Sequence, residues 1–205
     1  MTNQAETGVG TRDRVLQATI ELIAEGGADR VRTRAVAERA GVNAALVHYH
    51  FGSMSALIDQ AVDAVMAEEM QPFAEALARG PGLRTALEGL LDAVQGIGEP
   101  TPGVLVSMDV LVRATRDPAA RARSLTMLRE FRGLLVDRLE QARQSGEVDP
   151  RLDAAATASM LAALLDGLVV HRLIDRELDV RATAAPLIAA LFGPGRAGGP
   201  GKGAR

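Results

Sequence analysis

Apolar residues recur along this chain at the spacing of helices, and no stretch alternates as a strand would. Residues 11–25 gather Val15, Leu16, Thr19, Ile20, Leu22 and Ile23 on one face, which predicts an amphipathic helix. Thr11 suits its N-cap, Asp13 suits its first turn, and Gly26-Gly27 ends it. Two short helices follow over Thr33–Phe51. Val36, Ala37 and Ala40 stripe the first, with Thr33 as its cap. Asn43 caps the second, whose apolar side is Leu46 and Val47. Gly41 allows the positive φ that a sharp turn between them needs.

Gly52-Ser53 breaks the chain, and Ser53 caps a long helix bearing Leu57, Ile58, Ala61, Val62, Val65 and Met66. Pro72 is expected to kink it or end its first section, and Gly80-Pro81-Gly82 to stop it. Leu83, Leu87, Leu90, Leu91 and Val94 mark a fifth helix, and 96–103 a loop. Residues 104–115 are apolar almost all round, which predicts a buried helix. Two long helices come next, 119–145 and 153–175, and a last one runs from about Val180 to Phe192. The expected fold class is all-α: an N-terminal three-helix domain joined to a larger helical body. The segments are 1–10 as a flexible arm, 11–57 and 58–192 as the two domains, and 193–205 as a flexible tail.

Composition narrows this picture. Hydrophobic residues are 47% of the chain and aromatics 2%, with no Trp, so the core must be Leu, Val, Ala and Met. The absence of cysteine removes disulfides and thiolate metal sites and fits a reducing, cytoplasmic setting. No uninterrupted apolar run reaches the ~18 residues of a membrane span, and no signal peptide is expected. Net charge is −3, yet residues 11–57 hold six arginines against five acids. A mildly basic head on an acidic body is the pattern of a small DNA module attached to something else.

The chemistry concentrates in Thr33–Phe51, which has the pattern of a helix-turn-helix. Asn43, Ala44 and Ala45 open its second helix. Small residues there let a helix sink into the major groove, and Ala can touch a thymine methyl. Arg34 is the arginine best placed for a base or phosphate contact. His48 and His50 invite a metal reading, but positions i and i+2 lie about 200° apart on a ~3.6-residue turn, so no metal site is expected. Tyr49 and His50 suit phosphate oxygens, His48 faces DNA, and Phe51 belongs to the core. In the body, Met70, Phe73, Leu105, Met108, Leu111, Met127, Phe131, Met160 and Leu164 are candidate pocket residues. Methionine is adaptable enough to accept varied apolar ligands, although each of these could simply be core filler. His171 and Asp109 could orient a ligand or be satisfied structurally. No nucleophile with a base, phosphate loop or catalytic group stands out, so neither an enzyme nor a cofactor is expected.

Three stretches together resemble the DNA-binding head of the TetR family of transcriptional regulators. They are the apolar helix ending at Gly26-Gly27, the run Thr33…Val36-Ala37…Ala40-Gly41-Val42, and Tyr49-His50-Phe51 followed by Ser53 and Leu57. Arg116-Asp117-Pro118 and Asp166-Gly167-Leu168 resemble the BetI-like variety of the family's body. The resemblance implies a homodimer, joined through helices 119–145 and 153–175, that reads a palindromic double-stranded operator. It implies a repressor released by a small-molecule effector, with no membrane partner. It also places Asn43, Ala44, Ala45, His48, Tyr49 and His50 on or beside DNA. Three positions depart from the family's habit: His48 stands for a usual Tyr, Ala45 for a frequent Gly, and Met54 for a phosphate-binding Lys. A helical DNA-binding or small-molecule module without switching is the alternative.

Overall fold

The computed structural model describes residues 3–80 and 82–193, with side chains from Gly10 onward. Among the described residues every regular element is helical. The order is α1 (Asn3–Gly26), a 3-10 turn (Ala28–Arg30), α2 (Thr33–Ala40), α3 (Ala44–Phe51), α4 (Met54–Ala78), α5 (Leu83–Gln95), α6 (Pro102–Ala114), α7 (Pro118–Ser145), α8 (Ala154–Ile174) and α9 (Val180–Phe192). Side-chain caps set many starts. Asn43 accepts from the Ala45 N–H, Thr101 from Val104, Asp153 from Ala156 and Asp179 from Ala182. Ser53 Oγ accepts from Ala56 at 3.1 Å. Each such bond satisfies a donor the helix cannot pair itself and contributes about 1 kcal/mol.

Several local expectations are corrected. Helix α1 begins at Asn3, so residues 3–10, expected as an arm, are helical, and Thr11 lies inside the helix rather than capping it. Extending an existing helix adds one hydrogen bond per residue fixed, and Gly8 and Gly10 cost only ~1 kcal/mol each. The expected tail from 194 onward lies outside the described residues. Thr33 is the first residue of α2, and the N-cap is Arg32, without a side-chain cap bond. In α3 the buried residues are Val47 and Phe51, while Leu46 is exposed. Helix α4 runs through Pro72, because Ala61 and Val65 before it and Ala76 and Leu77 after it are buried and offset the one lost hydrogen bond. Helix α6 buries Val104, Val106 and Val110 but leaves Leu105, Leu111 and Val112 at 40–50% exposure, so it is not buried all round. Helix α8 is long and apolar enough to cross a membrane by length and composition, longer than the run read from the sequence. Its Ala158, Leu161, Ala162, Leu165 and Leu168 fill a core, and Asp166 interrupts it, as in the core helix of a globular domain.

The chain divides into two compact units. One holds the residues up to Gln71 with Pro100–Thr126; the other holds Pro72–Glu99 and the residues from Met127 on. In the first, Val15, Ala18 and Ile23 of α1 pack with Val36, Ala37 and Ala40 of α2, and with Val47 and Phe51 of α3. Leu57, Ala61 and Val65 of α4 and Val106 of α6 close the same cluster. In the second, the inner face of α5 (Leu83, Ala86, Leu87, Leu90, Leu91, Val94) meets Leu135 and Leu139 of α7, the buried face of α8, and Val180 and Ala184 of α9. Both cores are aliphatic apart from Phe51 in the first and half-buried Phe73, Phe131 and Phe192 at the second, as a composition poor in aromatics requires.

Candidate nucleic-acid interface

The link between α2 and α3 decides the geometry of the head. Gly41 sits at φ 66°, ψ 40°, a left-handed conformation that a side chain would strain. The chain folds back there, with the Val42 N–H donating to the Ala37 carbonyl at 2.9 Å and the Gly41 N–H to Glu38 at 3.3 Å. These bonds satisfy two of the carbonyls that α2 leaves open at its end. Asn43 then starts α3, its Oδ1 accepting from Ala45 N at 2.9 Å.

Helix α3 is held on one side and open on the other. Val47 is 1% exposed and Phe51 6%, both locked into the head core. Ala44, Ala45, His48 and Tyr49 face outward, with Tyr49 81% exposed, and His50 is half-buried. Tyr49 lies outside the head core, so most of its ring is open to a partner. The Tyr49 and His50 rings meet edge to face at 5.2 Å, and His48 Nδ1 lies 3.4 Å from the Gly52 carbonyl. No group of metal-binding side chains occurs among the described residues.

The arginines of the head differ in how they are held. Arg34 lies on the surface, paired with Glu38 at 2.8 Å. Such an exposed i,i+4 pair is screened by water and holds Arg34 only weakly, so Arg34 can trade it for a phosphate. Thr33 is half-buried beside it. Arg39 is committed differently: it reaches Glu25 at 2.9 Å and Glu21 at 3.2 Å, tying α2 to α1. Its hydrogen bonds to these carboxylates raise its pKa further, and the Arg39 guanidinium in turn lowers that of Glu25. Arg32 donates to the Asp29 and Val31 carbonyls and braces the turn before α2. That clamping role was not visible in the order of residues, since Glu21 and Glu25 lie 18 and 14 positions away.

A second brace comes from α6. Asp109 Oδ2 accepts from the Ala28 N–H at 3.2 Å, and Gly27 stands against it at φ 81°. Arg113 adds an ion pair to Asp29 at 3.6 Å. Asp109 is thus satisfied by the turn after α1, and its reading as a ligand-orienting group gives way to a structural one.

The other candidate residues fall on both units. Met70 and Met108 are half-buried in the first, where Leu105 and Leu111 are exposed. In the second, Phe73, Phe131 and Leu164 pack half-buried against the core, and Met127 is half-buried. Met160 and His171 of α8 are exposed. Asp166, facing outward on α8, has its pKa raised by desolvation, which the nearby Arg132 cation partly opposes.

Known proteins share this arrangement. The profile described as bacterial regulatory proteins, tetR family, matches residues 15–61, and that of the BetI-type transcriptional repressor C-terminal domain matches 83–193. The chain belongs to the TetR family of bacterial regulatory proteins. Among the relatives of this TetR-family chain is the transcriptional regulator BetI of Agrobacterium fabrum, 28% identical over 183 residues, or 88% of this chain and 85% of BetI. Among solved structures, the Streptomyces coelicolor A3(2) protein SCO7518 is 31% identical at a TM-score of 0.70, covering 89% of this chain and 98% of its own. A Saccharomonospora viridis protein solved in complex with choline is 25% identical at a TM-score of 0.69, covering 90% of this chain and 94% of its own. The TetR-family chain is therefore a transcriptional regulator with a DNA-binding head, and its relatives are regulators rather than enzymes.

Proposed function

We propose that this regulator is a repressor that binds a palindromic operator as a homodimer and leaves it when a small molecule binds. The observation that carries the reading is the two-sided α3: Val47 and Phe51 anchor it, while Ala44, Ala45, His48 and Tyr49 stay open for the groove. Thr33, Arg34, Asn43 and His50 complete the proposed DNA contacts. Ala44 and Ala45 sit at the helix start, where the chain can lie deep, and Tyr49 and His50 reach toward phosphates.

The partition into a head at 11–57 and an effector and dimerisation body at 58–192 is part of the same proposal. Dimerisation through 119–145 and 153–175 is supported by the exposed apolar residues Leu125 and Leu134 of α7 and Met160, Val170 and Ile174 of α8. Gly167 and Ala163 among them allow close helix approach. For the effector we favour the half-buried Phe73, Met127, Phe131 and Leu164, since a pocket needs partly sheltered apolar groups. A relative seen with choline supports a body that takes a small molecule. Such a ligand would act by binding the state whose heads are wrongly spaced for DNA. A regulator of this kind works in the cytoplasm.

The test is a gel shift against the region upstream of its own gene, with Tyr49→Ala beside the wild type. The wild type should retard that duplex and not a scrambled one. Tyr49→Ala should bind about tenfold more weakly with an unchanged melting temperature, as loss of a phosphate contact implies. A parallel fall in thermal stability would show that Tyr49 is packed rather than presented. No retardation of any palindrome would remove the operator reading.

A further inference from the structure

Arg12 lies near the middle of α1 and is held by neutral groups. Its guanidinium lies over the Phe51 ring, 5.2 Å from the centroid, and one of its NH2 groups donates to Gln60 Oε1 at 2.6 Å. Phe51 is the last residue of α3 and Gln60 sits in the second turn of α4, so Arg12 is held where the recognition helix ends. Both partners are neutral. Arg34 and Arg39 are offset by carboxylates, whereas none among the described residues is paired with Arg12. Its side chain is exposed, and the bond to Gln60 uses one of its five N–H donors.

The position has an electrostatic need. The carbonyls that end α3 carry partial negative charge, which repels a phosphate. The DNA backbone flanks a recognition helix, and a cation beside that end would offset the repulsion. Met54, at the start of α4, carries no charge. An arginine is always charged, and stacking on a ring fixes its plane before DNA arrives.

We propose that Arg12 is a backbone-phosphate contact of the bound regulator, preset on Phe51 and Gln60, and supplying the cation that Met54 does not. This rests on the DNA reading of α3. It requires no change in operator sequence, because phosphates carry no sequence information.

The full-length protein, Arg12→Ala and Arg12→Lys would be titrated by fluorescence anisotropy, over a series of salt concentrations. The probes are a duplex from upstream of the gene and a scrambled duplex of equal length. Arg12→Ala should weaken both by the same factor, about fivefold to tenfold at ~0.1 M salt. It should lower the slope of log affinity against log salt by about one. Arg12→Lys should keep most of the slope, with melting temperatures unchanged throughout. An unchanged slope in Arg12→Ala overturns the proposal, as does a loss confined to the upstream duplex. A fall in melting temperature with the slope intact also overturns it and makes Arg12 a packing residue for Phe51. If the wild type binds neither duplex at low salt, the DNA reading of α3 fails together with this one.

Discussion

Phe51→Ala is expected to destabilise the protein by about 3–5 kcal/mol and to abolish operator binding at any concentration the wild type needs. Phe51 is 6% exposed and packs in the cluster that joins α1, α2, α3, α4 and α6. Removing the ring takes its apolar area out of the core and leaves a cavity that rigid helices on several sides cannot close. The loss reaches function because Val47 and Phe51 are the only buried residues of α3. An eight-residue helix cannot hold itself together in water, so without that anchor α3 has no defined orientation. Chemical denaturation followed by circular dichroism, with a binding titration on the same samples, checks both halves. Wild-type stability in the variant would mean that the head is not built around this ring.

Ala45→Glu is the complementary case, in which stability should hold and binding should fail. Ala45 is exposed, and only its backbone N–H is engaged, by Asn43. Glutamate is a good helix former, and an acid in the first turn suits the helix dipole, so the free protein should fold as well as before. Against DNA the same carboxylate would enter a groove walled by phosphates. Juxtaposed like charges of that kind cost several kcal/mol, so affinity should drop by about a hundredfold or more. Equal melting temperatures with equal affinity would place DNA on some other surface. The two variants separate the inner side of α3, which the fold needs, from the outer side, which the partner needs.

Much of this was legible in the chain because it is local. Gly41 at positive φ, Asn43 and Ser53 as caps, and the stripes Val36-Ala37-Ala40 and Leu57-Ala61-Val65 follow from spacings of a few residues. The same is true of the stops at Gly52 and Gly80, each at positive φ. Errors arose where neighbours far along the sequence set the outcome. Leu46 and Val47 look alike in order, but only Val47 meets the core. Helix α6 looks buried all round, yet just one side of it finds partners. Pro72 reads as a kink or the end of a section, and packing on either side of it carries α4 through.

The sequence by itself determined the helix count, most caps and turns, the family, and which short helix carries the exposed tyrosine. Those properties depend on hydrogen bonds and side-chain spacing within a turn or two of the chain. Only the tertiary structure decided what each charged group is for. Arg39 proves to be a clamp on α1, Asp109 a brace on the turn after it, and Arg12 a cation resting on Phe51. A charge is satisfied by whatever lies within about 4 Å in space, and folding brings those partners from 14 to 81 positions away.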